Sequence, residues 1–236
     1  MFQIEKLVST SHVGNDGKLT LTSAVDFMQD CSSFHISSIQ KWNEEFAQRN
    51  MRMFIIFRQM DIINMPKLRE KLLVKTWGWD LNRVFGSRNT IIYNEAGEAC
   101  VIANVMGSFV FADSGLPAQI SEESRLSLPV ANKLDMEYLP RKIELPAVSP
   151  PYILEPVAVL KSHLDHYNHV NNAKYVMIAY EYIPYSFVPK RLRVEYKIPA
   201  KYGDIFYPIA HTEENKQIIC LNNHDGKPYS IVEFSR

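Results

Sequence analysis

The same order of parts occurs twice in this chain, and that repetition limits the fold more than any single motif. In the first half a turn signal, Asp16-Gly17, leads into a stretch where Leu21, Ala24, Val25 and Met28 share one helical face. Strand-like runs follow: Met53–Ile63 (MFIIFRQMDII), KLLVKTWGW, and SRNTIIYNEAGEACVIANVMGSFVFAD with turn residues at Asn94–Gly97. In the second half a polar turn leads into a helix with Tyr175, Ile178, Ala179 and Tyr182 on its apolar face. RLRVEYKI and IFYPIAHTEE follow as strands, then a hairpin, QIICLNNHDGKPYSIVEFS, turning at Asn223–Gly226. Pro66 in DIINMPKLRE matches Pro199 in EYKIPAKYGD, and Gly97 in NEAGE matches Gly226 in NHDGK. The halves otherwise share element order and turn chemistry, not residues.

A unit made of one helix and an antiparallel sheet of four to six strands buries the helix's apolar face against the sheet. Two such units joined edge to edge form one continuous sheet and protect their edge strands. The predicted class is therefore α+β, with units at 1–145 and 146–236. Ala112–Pro156, which contains PAVSPPY, has the composition of a linker draped over a surface.

Formal net charge is zero, so no bulk field points to nucleic acid or an anionic membrane. Cys31, Cys100 and Cys220 are an odd number without CxxC spacing, which predicts reduced thiols rather than a disulfide framework. MFQIEKLVST lacks the basic start and apolar core of a secretory leader. Apolar runs such as Met53–Phe57 fall far short of the ~20 residues needed to span a bilayer. These features predict a soluble, cytoplasmic protein without membrane insertion.

HLDHYNHVNNAKY, residues 163–175, gathers hydrogen-bonding groups directly before the second helix. His163, His166 and His169 are spaced i, i+3, i+6, which converges on one point neither in a strand nor in a helix, so no metal is predicted. Asn171 and Asn172 are favoured N-cap residues, and Asp165 suits an Asx-turn. The start of a helix also offers free N–H groups and a positive dipole end.

DHYNHVNNAKY resembles the signature of acyl-acyl-carrier-protein thioesterases, a D-x-N-x-H-V-N-N-x-x-Y pattern before the helix of a hot-dog unit. FQIEKLVSTSHVGNDGKLTLTSAVDFMQDCSSFH and TWGWDLNRVFGSRNTIIYNEAGE are similar to that family's first half. The resemblance covers nearly the whole chain. It implies a double hot-dog fold and a cofactor-independent hydrolase that releases free fatty acid from acyl carrier protein. An acyl-CoA thioesterase and a non-catalytic acyl-binding module remain alternatives, a hot-dog dehydratase is a weaker one, and a homodimer stays open.

By that resemblance Asp165 and His169 hold the acidic and histidine positions, four residues apart and close enough to hydrogen-bond across a turn. Either could ready the attacking water. The Asn expected at 167 is Tyr167, so Asn168 or the Tyr167 hydroxyl would supply the missing donor. Amides around Val170, Asn171 and Asn172 would polarise the thioester carbonyl. Plant members carry a Glu-Cys pair after the strand resembling RVEYK; those positions hold Pro199 and Ala200.

Lys18 to Asp30 and His169 to Glu181 have the same spacing, so Lys18 stands where His169 does and the first unit is catalytically silent. Its expected task is acyl-chain binding through Phe27, Met28 or Phe34. Glu181 lies roughly 14 Å along the helix from its start and serves structure. Trp77 and Trp79 suit a core-and-lid role. Lys190, Arg191 and Arg193 are a candidate docking patch for an acidic carrier, or simply a solvated strand end.

Overall fold

The computed structural model describes residues 1–146 and 151–236. Residues 147–150 of the expected linker PAVSPPY lie outside the described residues. Two compact units are present: Met1–Ile56 with Ile62–Tyr138, and Phe57–Asp61 with Leu139–Arg236. The break in the connecting segment thus lies upstream of 145/146, and Phe57–Asp61 from the first half of the sequence belongs with the second unit.

The first unit comprises β1 (Phe2–Leu7), α1 (Leu21–Ser37), α2 (Gln40–Gln48), the start of β2 (Met51–Ile62), β3 (Lys71–Leu81), β4 (Phe85–Tyr93), β5 (Ala99–Phe111) and α3 (Glu122–Ser127). Its strands run in the order β1-β3-β4-β5, with antiparallel pairings. Thr20 caps α1, its hydroxyl accepting from the Ser23 amide at 3.1 Å. Ala24, Val25, Phe27, Met28 and Cys31 then bury one helix face, at the spacing that brings residues together on one side of a helix. Sequence patterning missed α2. Its Trp42 is buried, donates from Nε1 to the Ser124 carbonyl at 2.7 Å and meets Phe109 edge-on, tying α2 to α3.

The second unit holds Phe57–Asp61 of β2, then β6 (Tyr152–Ile153), β7 (Val157–Ala158), α4 (Asn172–Tyr180), β8 (Arg191–Tyr196), β9 (Ile205–Glu213), β10 (Lys216–Asn222) and β11 (Pro228–Ser235). From β2 the strands run β8-β11-β10-β9-β6, and β7 pairs with β9. α4 is nine residues long against 17 in α1. Ala173, Tyr175, Val176, Ile178 and Ala179 face the core. Tyr182, expected on that face, lies beyond the helix end, ahead of Pro184.

Each sheet also has a face turned away from its helix, and the connecting segment covers both. In the first unit Ala131 N–H bonds the Gly78 carbonyl at 2.8 Å and Trp77 Nε1 bonds the Asn132 carbonyl at 2.8 Å. The buried Asn89 Oδ1 accepts from Leu134 N–H at 3.1 Å and from the Tyr138 hydroxyl at 3.0 Å. In the second unit Gln59 Oε1 accepts from Leu139 N–H at 3.1 Å and the Glu195 carboxylate from Ile143 N–H at 2.5 Å. Arg193 donates to the Pro140 and Lys142 carbonyls and pairs with Glu233 at 3.0 Å. A buried polar group is costly unless bonded. Here the mid-strand polar side chains satisfy the backbone of a segment that has no strand partner.

The expected basic docking patch is therefore absent. Arg191 is paired with Asp61 at 2.6 Å and Arg193 is buried, which leaves only Lys190 exposed. No helix among the described residues is long and apolar enough to cross a membrane.

Candidate active site

From Ser9 to Leu21 and from Leu160 to Asn172 the chain builds the same loop twice. Each begins with a 3₁₀ turn, Thr10–His12 and Lys161–His163. The turn histidine accepts at Nδ1 from the amide three residues back: Ser9 to His12 at 3.0 Å, Leu160 to His163 at 3.1 Å. Gly14 N–H to Lys18 C=O at 2.9 Å matches Asp165 N–H to His169 C=O at 2.8 Å. Thr20 N–H to His12 C=O matches Asn171 N–H to His163 C=O, both at 2.9 Å. The left-handed position holds Gly17 (φ 72°) in one copy and Asn168 (φ 60°) in the other. Leu19 N–H bonds Pro66 C=O at 2.7 Å, and Val170 N–H bonds Ala200 C=O at 2.8 Å. The partner of Pro66 is thus Ala200, one residue past the Pro199 that the sequence match had suggested.

Asp165 closes an Asx-turn: Oδ1 accepts from Tyr167 N–H at 2.8 Å and His169 N–H at 3.3 Å. The expected bond between the Asp165 and His169 side chains is replaced by one to the His169 backbone, because the tight turn aims the carboxylate at its own amides. These bonds engage Oδ1 alone, and both side chains are half-buried at the mouth of the loop. Tyr167 is exposed and its ring lies 3.8 Å from that of His166.

Asn168 is also exposed, and its positive φ is a turn requirement that glycine meets with less strain. Asn168→Gly should leave the thermal midpoint within ~2 °C of the parent or above it. A loss of hydrolysis in that well-folded variant would report a chemical role for the amide; unchanged hydrolysis would remove it from the site.

Two of the three amides expected at the helix start are taken. Val170 and Asn171 N–H are taken by Ala200 and His163 carbonyls, and Asn171 Oδ1 caps α4 by accepting from Ala173 N–H at 2.8 Å. Val170 and Asn171 are therefore corrected from carbonyl donors to structural residues. Asn172 opens α4, and its carbonyl accepts from the Tyr196 hydroxyl at 3.2 Å. Ala200 N–H donates to the buried Tyr175 hydroxyl at 2.9 Å, and burial pushes that phenol's pKa upward. Position 200 thus sits against the loop, but as a buried methyl rather than a thiol.

His163 is buried, and burial, followed by the charge of Lys174, lowers its pKa, which suits its role as a neutral acceptor at Nδ1. Among the described residues no group of three or more His, Cys, Asp or Glu is placed to hold a metal.

The three expected acyl-contact residues do not gather. Phe27 packs edge-on to His12 with ring centroids 4.8 Å apart, Met28 is in the core, and Phe34 is 53% exposed. The first unit instead has a small cavity of about 20 Å³ lined by Ile36, Trp42, Met53, Gly86, Gly107 and Leu128, among others. A Cβ on Gly107 would come within 2.9 Å of Met53 Cγ, so the glycine makes room for that flexible side chain. A Gly86–Gly107 pairing across two strands is the sequence signal that could have found it.

Models of two domains match the chain: the acyl-ACP thioesterase N-terminal domain over residues 1–125 and the acyl-ACP thioesterase C-terminal domain over residues 152–227. Among solved structures, an acyl-ACP thioesterase from Bacteroides thetaiotaomicron is 18% identical with a TM-score of 0.88, covering 99% of this chain and 96% of that one. The 12:0-ACP thioesterase from Umbellularia californica is 16% identical with a TM-score of 0.84, covering 99% and 96%. A putative oleoyl thioesterase from Lactobacillus plantarum is 18% identical with a TM-score of 0.83, covering 99% and 94%. No curated protein sequence matches. At these identities the solved structures establish the fold, the double hot-dog. The two domain models together span most of the chain, and on that ground it belongs to the acyl-ACP thioesterase family.

Proposed function

We propose that this protein hydrolyses the thioester of acyl-acyl-carrier protein without a cofactor, releasing free fatty acid, and that Asp165 and His169 of the second unit ready the attacking water. One observation carries the assignment of the residues. The loop is built twice with the same backbone hydrogen bonds, yet Gly14 and Lys18 stand where the second copy has Asp165 and His169. The first copy closes its turn from another position, Asp16, whose Oδ1 accepts from Lys18 N–H at 3.0 Å. The first copy keeps the same backbone bonds without either side chain, which supports a chemical role for both beyond the part of Asp165 in its turn. A carboxylate with one oxygen held by amides keeps a second oxygen suited to accept a proton from water. The expected task of the first unit is then to hold the acyl chain. Three free, buried cysteines support a cytoplasmic setting.

Thiol release from acyl-acyl-carrier protein and acyl-CoA of equal chain length tests this reading. A kcat/KM at least ~10-fold higher on the carrier protein is expected. Equal rates would make the protein a general pantetheine-thioester hydrolase, and tight binding without release would make it an acyl-binding module.

A further inference from the structure

Arg58 belongs to the second unit and lies opposite Val194 in the β2–β8 pairing. It is 2% exposed, and neither its Nε nor its Nη1 has a hydrogen-bond partner among the described residues. A guanidinium taken out of water with two of its three nitrogens unbonded is disfavoured. The packing of the unit gives no reason for one at this position.

Its surroundings indicate what it meets. Gln59 points to the face covered by Leu139, so by strand alternation Arg58 points to the α4 face. On that face, two residues along β8 from Val194, Tyr196 meets Tyr175 of α4 and donates to the Asn172 carbonyl. Ser230, across from Tyr196 in β11, is fully buried, and its hydroxyl also has no partner among the described residues. Tyr196 is the diagonal neighbour of Arg58, a relation that spans roughly 7–8 Å, and Ser230 stands one strand further on the same face. Two unsatisfied polar groups thus share the sheet face beneath the start of α4, and the loop entering that helix carries Asp165 and His169.

An N–H-rich cation suits an oxygen anion. Two of the three amides expected to serve this purpose, those of Val170 and Asn171, are already committed. We propose that Arg58 receives the thioester carbonyl oxygen as it becomes an oxyanion, and then the carboxylate of the released acid. Water adds to the carbonyl carbon and its proton passes to the Asp165–His169 loop. The oxyanion collapses, the C–S bond breaks and the sulfur takes up that proton. The acid loses its remaining proton to solvent and leaves as a carboxylate. This role rests on the hydrolase reading above.

The test compares the parent with Arg58→Met and Arg58→Lys in acyl-acyl-carrier-protein hydrolysis, thermal midpoint, and binding of saturated fatty acids against the alcohols of matching length. Arg58→Met should lower kcat ~10²–10³-fold, as loss of an oxyanion donor does. Its midpoint should hold or rise, because an apolar isostere replaces an isolated charge. Arg58→Lys should recover part of the rate, since it restores charge without the fork. The parent should prefer acid over alcohol, and Arg58→Met should erase that preference. An unchanged kcat, a fallen midpoint with the acid preference intact, or a parent without any acid preference would each overturn the assignment. A parent that hydrolyses no thioester yet prefers acids would sink the hydrolase reading and leave Arg58 as a carboxylate site.

Discussion

Asp165→Asn should lower kcat on acyl-acyl-carrier protein by ~10²–10⁴-fold, the range expected when a general base is removed, while the protein stays folded. The substitution keeps an acceptor oxygen for the amides of Tyr167 and His169, which hold the turn at 2.8 and 3.3 Å. What it removes is the charge on the second oxygen. A steady-state assay beside a thermal melt separates the two effects. Loss of rate with an unmoved melt assigns the carboxylate to the chemistry. An active variant would show that Asp165 only shapes the loop, as Asp16 does in the first copy.

Glu233→Ala should destabilise the protein by ~3–5 kcal/mol, because it leaves Arg193 buried without its counter-charge. Glu233 is 3% exposed and Arg193 6%, and their contact is 3.0 Å. Lys216 approaches Glu233 at 3.7 Å as a second, part-exposed partner. Arg193 would keep its bonds to the Pro140 and Lys142 carbonyls, which supply no negative charge. Urea unfolding with linear extrapolation measures the loss. The double variant Arg193→Met/Glu233→Leu removes both charges together and should lie within ~2 kcal/mol of the parent. A single-variant loss under ~1 kcal/mol would mean that solvent reaches this pair, as for exposed salt bridges.

What was legible from residues alone was local. Asn94–Gly97 and Asn223–Gly226 announced two turns of one kind, and both glycines have positive φ, 77° and 76°, with N–H bonds to the asparagine carbonyl at 3.0 Å. A helix beginning at Asn172 followed from the capping preference of the residue before it. β1 went unread because FQIEKL is short and its half-buried positions become visible only once it pairs with Lys71–Thr76. α2 went unread because Trp42 is buried by a helix far along the chain.

The site was legible in composition but not in geometry. A spacing of four suggested that Asp165 would bind the His169 side chain, whereas the turn directs it to amides. The charges of RLRVEYK resembled a solvated strand end. Only the three-dimensional path of the connecting segment explains why Arg193 and Glu195 are buried. An arginine in an apolar run, FIIFRQM, gave no sign that its Nε and Nη1 would lack partners among the described residues.

The covering of both sheets by the connecting segment bears on how this protein can be divided. A truncation ending at residue 125 would discard Ala131–Tyr138 and strip Asn89 and Trp77 of the bonds that satisfy them. A fragment beginning at residue 152 would lack both Leu139–Ile143 and Phe57–Asp61, uncovering Glu195 and Arg193 and removing their backbone partners. Homology borders are therefore poor cutting points here, and any split-protein design would have to supply the missing segments in trans.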